Sequence, residues 1–299
     1  MNFIAILIAL VAERLVALRP EVREPRLLLA YVRGALRQVA RREPPALAIA
    51  IAIAAALLPG LVVEVVSGVL GAVVHGLVYV LLAALVLIFS LGPRDLRREV
   101  AEYRAATGRG DAAGAARVAG EILEADAGQR RGPGLGSVGE AVLVQANNRL
   151  FGVLFWFALL GPFGALAFRI SDLMRREAIL RADRPDAPPT ARPASDVCQR
   201  LHGVIAFVPA RLLALTYGVA GSFEESFSGW RSYLASESDH FFDANDRLLV
   251  HAGQGALGAS WGQADDEAER ARSALALADA ALAVWLVVLA LLTLVEWLA

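Results

Sequence analysis

Six runs of apolar residues alternate with polar segments along this chain. Four of the runs are nearly continuous and approach the length of about 20 residues that a transmembrane helix needs. The other two runs are interrupted by glycine or proline. This pattern predicts an all-α polytopic membrane protein. In chain order the runs cover residues 3–18, 46–66, 72–90, 150–169, 201–223 and 274–299.

The two interrupted runs raise the question of whether the chain crosses the membrane there or turns back. The run at 150–169 contains LFWFALLGPFGALAFR, which the pair Gly161-Pro162 breaks in the middle. The run at 201–223 is interrupted at Pro209. Non-helical backbone is tolerated at membrane depth where protein shields it, so both runs are candidates for inserts that do not cross.

The distribution of arginine favours one topology. Basic residues near the ends of transmembrane helices are concentrated on the cytoplasmic side. Residues 19–42 contain seven Arg, 94–149 contain nine and 169–200 contain seven, whereas the connection at 67–71 contains none. If all six runs crossed, the third basic segment would lie opposite the other two. We therefore predict four transmembrane helices, with the two interrupted runs as inserts that enter from the cytoplasm and both termini outside.

This topology predicts one membrane domain over residues 1–299. The polar segment after the third run is expected to form an αα-hairpin broken at GRGD, and residues 174–195 are expected to be irregular. The predicted parts are three transmembrane helices in 1–92 with an amphipathic segment at 19–45, a cytoplasmic helical region and linker at 93–149, the inserts at 150–223, a cytoplasmic helical region at 224–273 and a terminal transmembrane helix at 274–299.

Composition supports the membrane interpretation and excludes several kinds of chemistry. Apolar residues make up 57% of the chain and the mean hydropathy is +0.53, whereas soluble domains are about half apolar. The net charge of −1 favours no nucleic-acid partner. All 29 basic residues are Arg, which excludes a Walker A lysine and a Schiff-base lysine. The single Cys198 and the four scattered His predict no metal site.

Six segments spread over the chain form a distinctive set. They are ERL at 13–15, FSLGPRDLRREVAEYRAATGRGDAAGAAR at 89–117, NNRLFGVLFW at 147–156, GVLFWFALLGPFGALAFR at 152–169, VPARLLALTYGVAGSF at 208–223 and LLVHAGQGALG at 248–258. Across nearly the whole chain, their order and spacing resemble the AmpE branch of the CobD/CbiB-like inner-membrane proteins.

The resemblance implies an inner-membrane regulatory factor of β-lactamase induction, functionally linked to the muropeptide amidase AmpD. The cobalamin branch of the same group consists of synthases that form an amide bond with ATP and Mg²⁺. Where that branch carries motifs similar to ENTSDG and NTLDSM, this chain has VQANNR at 144–149 and DLMRRE at 172–177. Mg²⁺ requires carboxylate oxygens, which are missing or displaced here. We assign no catalytic residue, we favour a protein that is not an enzyme and we expect no cofactor, whereas the synthase alternative requires ATP and Mg²⁺.

Three residues before the first insert are candidates for binding a small anionic ligand. Asn147, Asn148 and Arg149 precede the apolar run directly, and the guanidinium group is a planar donor suited to carboxylate or phosphate. The structural alternative is that Asn caps the insert and Arg reaches the membrane interface.

Ionisable residues inside or beside apolar runs form a second candidate set. Glu13 and Arg14 lie in the first run, Arg211 lies in the second insert and Glu224 follows it. Because a charge at membrane depth normally faces a cavity or a partner, we predict the pairs Glu13 with Arg211 and Arg14 with Glu224, which either hold the inserts or line a ligand site. His202 is either a proton switch or a polar cap.

The leading hypothesis is a multi-pass protein of the bacterial inner membrane that regulates β-lactamase induction within peptidoglycan recycling. It would bind a small anionic cell-wall metabolite in a cytoplasmic chamber lined by arginine. Two alternatives are the ATP- and Mg²⁺-dependent synthase, which would use remaining carboxylates such as Asp172, and a transporter, which discontinuous helices would suit. The expected surroundings are the lipid bilayer and, through the small-residue runs at 46–56 and 271–283, further copies of the chain in a homo-oligomer.

Overall fold

The described part of the chain contains helices as its only regular elements, and the predicted class of all-α polytopic membrane protein is confirmed. The helices form two compact units. The first unit is Met1–Pro93 with Asn148–Ile205, and the second is Arg94–Asn147 with Ala206–Ala299. This computed structural model describes residues 2–15, 26–42, 45–73, 76–91, 96–124, 136–235, 244–262 and 266–298.

Most helices are joined by short connections. In chain order the helices are α1 (Asn2–Leu15), α2 (Arg26–Ala40), α3 (Pro45–Val73), α4 (Gly76–Ser90), α5 (Leu96–Gly108), α6 (Ala112–Ile122), α7 (Val138–Ala146), α8 (Gly152–Ala182), α9 (Ala191–Ala220), α10 (Phe223–Ala235), α11 (Ala244–Leu257), α12 (Ala259–Gly262) and α13 (Glu267–Leu298), with a π-helical turn at Asn147–Phe151 between α7 and α8.

Two local predictions have different outcomes. The αα-hairpin is confirmed, because GRGD separates α5 from α6 and the Asp111 Oδ1 atom caps α6 by accepting a hydrogen bond from the Gly114 amide at 2.8 Å. The prediction that 174–195 is irregular is wrong, since all but 183–190 is helical. Pro193 lies in the first turn of α9, where a missing N–H costs no helical hydrogen bond.

The core of the first unit is built where α2, α3, α8 and α9 meet. On α2, Val32 and Leu36 are buried, whereas Arg33 and Arg37 are exposed. Spacings of three and four residues place these two kinds of side chain on opposite faces of the helix, so α2 is amphipathic. The buried residues of this core are Val32, Leu36, Val39, Ala48, Ala52, Ala55, Ile170, Leu173, Met174, Ala178, Ala194 and Cys198.

Helix α8 turns back on itself at the predicted break. Gly161 has φ 62° and ψ −150°, a conformation outside the helical region. A side chain at Gly152 would collide with the ring of Phe168, and a side chain at Gly164 would collide with the carbonyl oxygen of Trp156. In a straight helix residues 152 and 168 would be about 24 Å apart. The first interrupted run is therefore a helical hairpin, as predicted.

The turn of this hairpin packs against the middle of α3. A Cβ atom at Gly60 would lie 2.8 Å from the Phe163 carbonyl oxygen, so the close approach depends on glycine. Gly60 lies near the midpoint of the 29-residue α3. Beside the turn, Leu159 and Leu160 are 61% and 48% exposed. The hairpin thus ends partway along a long apolar helix and presents apolar side chains there.

The second interrupted run does not break. Helix α9 continues for 30 residues through Pro209. A proline inside a helix leaves the carbonyl group four residues earlier without its backbone donor, and here that group belongs to Ile205. The Trp156 Nε1 atom donates to this carbonyl oxygen at 3.1 Å. The indole of the hairpin thus satisfies the polar group that the proline exposes, which is why the helix tolerates Pro209.

Four described segments are long and apolar enough to cross a membrane. The number agrees with the prediction, but the set differs, because both interrupted runs lie within these segments and the first and third runs form shorter helices. Val138–Ala182 comprises α7, the π-helical turn and both arms of the hairpin. The four segments are Pro45–Val66, Val138–Ala182, Ala191–Ala220 and Glu267–Val295, and the shorter apolar helices are Phe3–Ala12 and Tyr79–Ser90.

The second unit packs α7 against α13 and α10 against α11. At the α10–α11 contact the Ser226 hydroxyl donates to the Ala252 carbonyl oxygen at 2.9 Å, and Gly255 has no room for a side chain beside the Glu225 backbone. Two small residues therefore let these helices lie close together.

The side on which the basic segments lie can be measured with added cysteines. Arg41 and Arg184 are exposed, and the ion pair between Arg33 and Glu177 holds α2 near the end of α8. We expect an impermeant maleimide to label Arg41→Cys and Arg184→Cys from the same side, the cytoplasmic side. The native Cys198 is only 1% exposed, so the unmodified chain should remain unlabelled and serve as the control. Labelling of Arg184→Cys from outside would contradict the topology.

Candidate functional site

A buried cluster of charged and polar side chains lies in the first unit. Arg169, Asp172 and Arg175 stand on the second arm of the hairpin at spacings of three residues, which place them on one helix face. Asn148 comes from the π-helical turn and His202 comes from α9. The hairpin brings the turn and the second arm together, so residues from three separate segments meet.

The Asp172 carboxylate is the centre of this cluster. Its Oδ2 atom lies 3.0 Å from the Arg169 Nη1 atom and its Oδ1 atom lies 2.8 Å from the Arg175 Nη2 atom. The side chains of Asp172 and Arg169 are 0% and 1% exposed, and that of Arg175 is 15% exposed. The carboxylate thus lies between two guanidinium groups. Buried charges of this kind are stable only while they are paired and hydrogen-bonded.

His202 connects the cluster to two further elements. The Ser171 hydroxyl donates to the Phe168 carbonyl oxygen at 2.7 Å, so its oxygen can accept from the His202 Nδ1 atom at 3.1 Å. The Nε2 atom lies 3.4 Å from the Asn148 Oδ1 atom and 4.0 Å from the Asp172 Oδ1 atom. The imidazole ring therefore links α9 to the π-helical turn and to the carboxylate.

The donor set of the cluster is suited to holding helices together or binding an anion. It contains a single carboxylate, and both oxygens of that carboxylate already accept hydrogen bonds from guanidinium groups. Within the described residues no group of three or more His, Cys, Asp or Glu side chains could hold a metal ion. The cluster is thus unlike the carboxylate sets that bind hard cations.

The first predicted set of residues is buried at the π-helical turn. Asn147, Asn148 and Arg149 are 1%, 3% and 6% exposed, and Asn148 belongs to the cluster through His202. Short π-helical segments inside helices are frequent at functional sites. The predicted ligand-binding role of these three residues stays a prediction.

The described contacts of Arg211 and Glu224, two members of the second predicted set, do not include the residues of the Asp172 cluster. Within the second unit, Arg211 donates to the Asn245 Oδ1 atom at 2.8 Å and to the Phe207 carbonyl oxygen at 2.9 Å. Its guanidinium carbon lies 3.3 Å from the centre of the Phe207 ring, a cation–π contact. Glu224 is exposed in the first turn of α10.

The two predicted ion pairs cannot be judged from these contacts. The side chains of Glu13 and Arg14 lie outside the described residues. The pairs Glu13 with Arg211 and Arg14 with Glu224 therefore stay predictions.

Sequence reasoning did not place Arg169, Arg175 or Ser171 in a site, and it named Asp172 only for the synthase alternative. The signal that could have found them is the spacing of Arg169, Asp172 and Arg175 at the end of an apolar run. Side chains three residues apart share a helix face, and a carboxylate between two arginines there indicates a pre-formed ionic cluster.

These features define a polytopic α-helical membrane protein with a helical hairpin in its first unit and an arginine–carboxylate cluster buried beside it. The family model described as "Regulatory signalling modulator protein AmpE" matches residues 1–299, and the chain belongs to the AmpE family.

Two curated relatives carry the name "Cobalamin biosynthesis protein CobD". The protein from Chromobacterium violaceum is 27% identical over 190 residues, which cover 61% of this chain and 56% of the relative. The protein from Stutzerimonas stutzeri is 29% identical over 185 residues, which cover 61% of this chain and 58% of the relative. The chain thus spans less than three fifths of the length of these relatives. No match was found among the solved structures.

Proposed function

We propose that this AmpE-family protein is a regulator in the bacterial inner membrane that adjusts β-lactamase induction in response to a small anionic metabolite of peptidoglycan recycling. In this proposal it does not form amide bonds. The claim that the protein does not form amide bonds rests on the pairing of the Asp172 carboxylate with Arg169 and Arg175. The AmpE family match supports the regulatory part.

The pairing of Asp172 argues against an ATP- and Mg²⁺-dependent synthase. Mg²⁺ on a nucleotide is normally held by one or two carboxylates together with the phosphates. To bind Mg²⁺, Asp172 would have to release both guanidinium groups, one of which is almost fully buried. The two guanidinium groups beside Asp172 also repel a divalent cation. The residues present therefore do not fit the cofactors of the cobalamin branch.

The same cluster gives the proposed regulator a means of coupling its parts. Asp172, Asn148 and His202 belong to the hairpin arm, the π-helical turn and α9. A ligand shifts the balance between two helix arrangements only by the difference in its affinity for them. A buried ionic cluster has few alternative geometries, so a small displacement of one segment is transmitted to the other two.

Deletion and complementation test the regulatory role. We expect deletion of the gene to shift the inducer concentration at which β-lactamase activity rises, and we expect the wild-type chain to restore the original response. Purified protein should show no Mg²⁺-dependent binding of labelled ATP in equilibrium dialysis. An unchanged induction curve in the deletion strain would refute the regulatory role, and Mg²⁺-dependent ATP binding by the wild-type protein would favour the synthase.

A further inference from the structure

A second polar feature of the first unit lies apart from the Asp172 cluster. It is a cleft of about 350 Å³ between α2 and the end of α8, together with the turn that follows α8. Small-molecule sites usually begin at about 300 Å³, so the cleft has room for a small ligand. The residues that line it are Arg33, Leu36, Arg37, Glu177, Arg181, Arg184, Asp186, Ala187 and Pro188.

The described residues that line this cleft include four arginines and two acidic residues, which together carry two net positive charges. One pair is already formed. The Arg33 Nε and Nη2 atoms donate to the two oxygens of Glu177 at 2.8 and 3.3 Å. Hydrogen bonding to Glu177 and the charge of Glu177 raise the pKa of the Arg33 guanidinium. The pair remains ionised. The Arg33 side chain is 59% exposed and the Glu177 side chain is 21% exposed.

The other three arginines make no ion pair with a described residue. The Arg37 Nε atom donates to the Arg33 carbonyl oxygen at 3.3 Å, and among the described residues no carboxylate lies within salt-bridge distance of Arg181 or Arg184. Like charges that converge repel one another. The surplus is therefore a cost to the fold unless an anion enters the cleft.

Helix stability does not account for all of these charges. An arginine in the last turn of a helix interacts favourably with its dipole, which explains Arg181 on α8 and Arg37 on α2. Arg184 lies beyond the end of α8, so the dipole does not explain its position. The backbone holds Arg184 in place, because the Ala187 amide donates to the Arg184 carbonyl oxygen at 3.0 Å. Three segments thus direct cations into one space.

We propose that this cleft binds the phosphate group of a phosphomonoester or diphosphate whose apolar portion lies against Leu36, Ala187 and Pro188. Two net positive charges match a phosphate dianion, and guanidinium groups bind phosphate oxygens in a bidentate manner. The inference deepens the proposed function by naming the ligand class, and it rests on that function for the ligand's role in signalling.

Glu177 makes the binding adjustable. An incoming phosphate competes with Glu177 for the Arg33 guanidinium, since a phosphate and a carboxylate can each offer two oxygens to the same two N–H donors. Arg33 belongs to α2 and Glu177 to α8. Occupation of the cleft therefore replaces a direct contact between two helices with a contact through the ligand.

Binding of inorganic pyrophosphate to the purified full-length chain in detergent tests the site. We expect calorimetry to show that Arg37→Gln and Arg184→Gln each weaken binding about fivefold, the effect of removing one partly screened charge. Glu177→Gln should instead tighten binding by about threefold, because it removes a competing carboxylate and frees Arg33. The opposite signs exclude a general effect on folding, which thermal unfolding of each variant would also reveal.

Arg41→Gln is the matched control, because Arg41 is exposed just after α2 and does not line the cleft. It removes the same charge and should leave pyrophosphate binding unchanged. Equal weakening by Arg41→Gln, Arg37→Gln and Arg184→Gln would overturn the site, since the effect would then follow only net charge. Failure of both pyrophosphate and the lipid probe below to bind would also overturn it.

A second experiment distinguishes a phosphate on a lipid headgroup from a phosphate on a soluble ligand. The chain is reconstituted in nanodiscs of phosphatidylcholine, with or without phosphatidic acid, and lipid retention is read by native mass spectrometry. Retention of phosphatidic acid that Arg184→Gln abolishes identifies a lipid headgroup, whereas pyrophosphate binding without such retention identifies a soluble ligand. Either result supports the phosphate site. If the site binds phosphate but Arg184→Gln cells induce β-lactamase like wild type, the signalling role fails and the site stands.

Discussion

Replacing Asp172 with asparagine is expected to lower the free energy of unfolding by about 3–5 kcal/mol, since it leaves a buried cation without its counter-charge. Arg169 is 1% exposed and cannot reach water without local unfolding. The loss should appear as a lower thermal unfolding temperature of the purified protein in detergent.

Two further variants separate the buried pair from a general charge effect. Asp196→Asn removes an exposed carboxylate on α9 and should change stability by less than about 0.5 kcal/mol. The double variant Arg169→Met with Asp172→Leu should unfold at a higher temperature than Asp172→Asn, because a buried ion pair can be replaced by apolar groups with little cost. Equal unfolding temperatures for Asp172→Asn and Asp196→Asn would show that the cluster contributes little to stability.

The variant Gly161→Ala is expected to destabilise the protein by about 1–3 kcal/mol, the cost of placing a side chain in a backbone region reserved for glycine. Gly161 makes the reversal of α8 with φ 62° and ψ −150°. Thermal unfolding in detergent measures the loss, and a lower yield of folded protein in membranes should accompany it.

Gly34→Ala is the control for this substitution. Gly34 lies inside α2, and a Cβ atom there would have no neighbour within 4 Å. Alanine should stabilise the helix by up to about 1 kcal/mol at such a position. If both glycine variants behaved alike, the turn at Gly161 would not require a left-handed conformation and the hairpin geometry would be in doubt.

The hairpin could be predicted because its signals are local. Gly161-Pro162 breaks an apolar run, and the charge distribution favoured a return to the same side. Proline alone was a weaker guide. Pro209 was interpreted as a break, but α9 continues, because the Trp156 indole satisfies the Ile205 carbonyl oxygen. A tertiary hydrogen bond of this kind cannot be deduced from the residues near Pro209.

In the candidate site, too, the residue types could be predicted from the sequence, whereas their tertiary contacts could not. Asn148 was identified before the first insert, but its contact with His202 depends on how the hairpin folds against α9. The four arginines of the cleft lie in two basic segments that were recognised by charge. The two segments line one cleft because Arg33 pairs with Glu177. These two residues are 144 positions apart in the chain, so the sequence alone does not reveal their contact.

Because Cys198 is buried, its reactivity in the native chain measures how often the core of the first unit opens. The thiol lies in the core shared by α2, α3, α8 and α9, so a thiol reagent reacts with it only during excursions that expose this core. When closing is fast, the reaction rate is proportional to the population of the open form. Each 1.4 kcal/mol of protection slows it about tenfold. Without any engineered residue, labelling kinetics in intact membranes can therefore rank ligands and lipids by how strongly they hold the first unit shut.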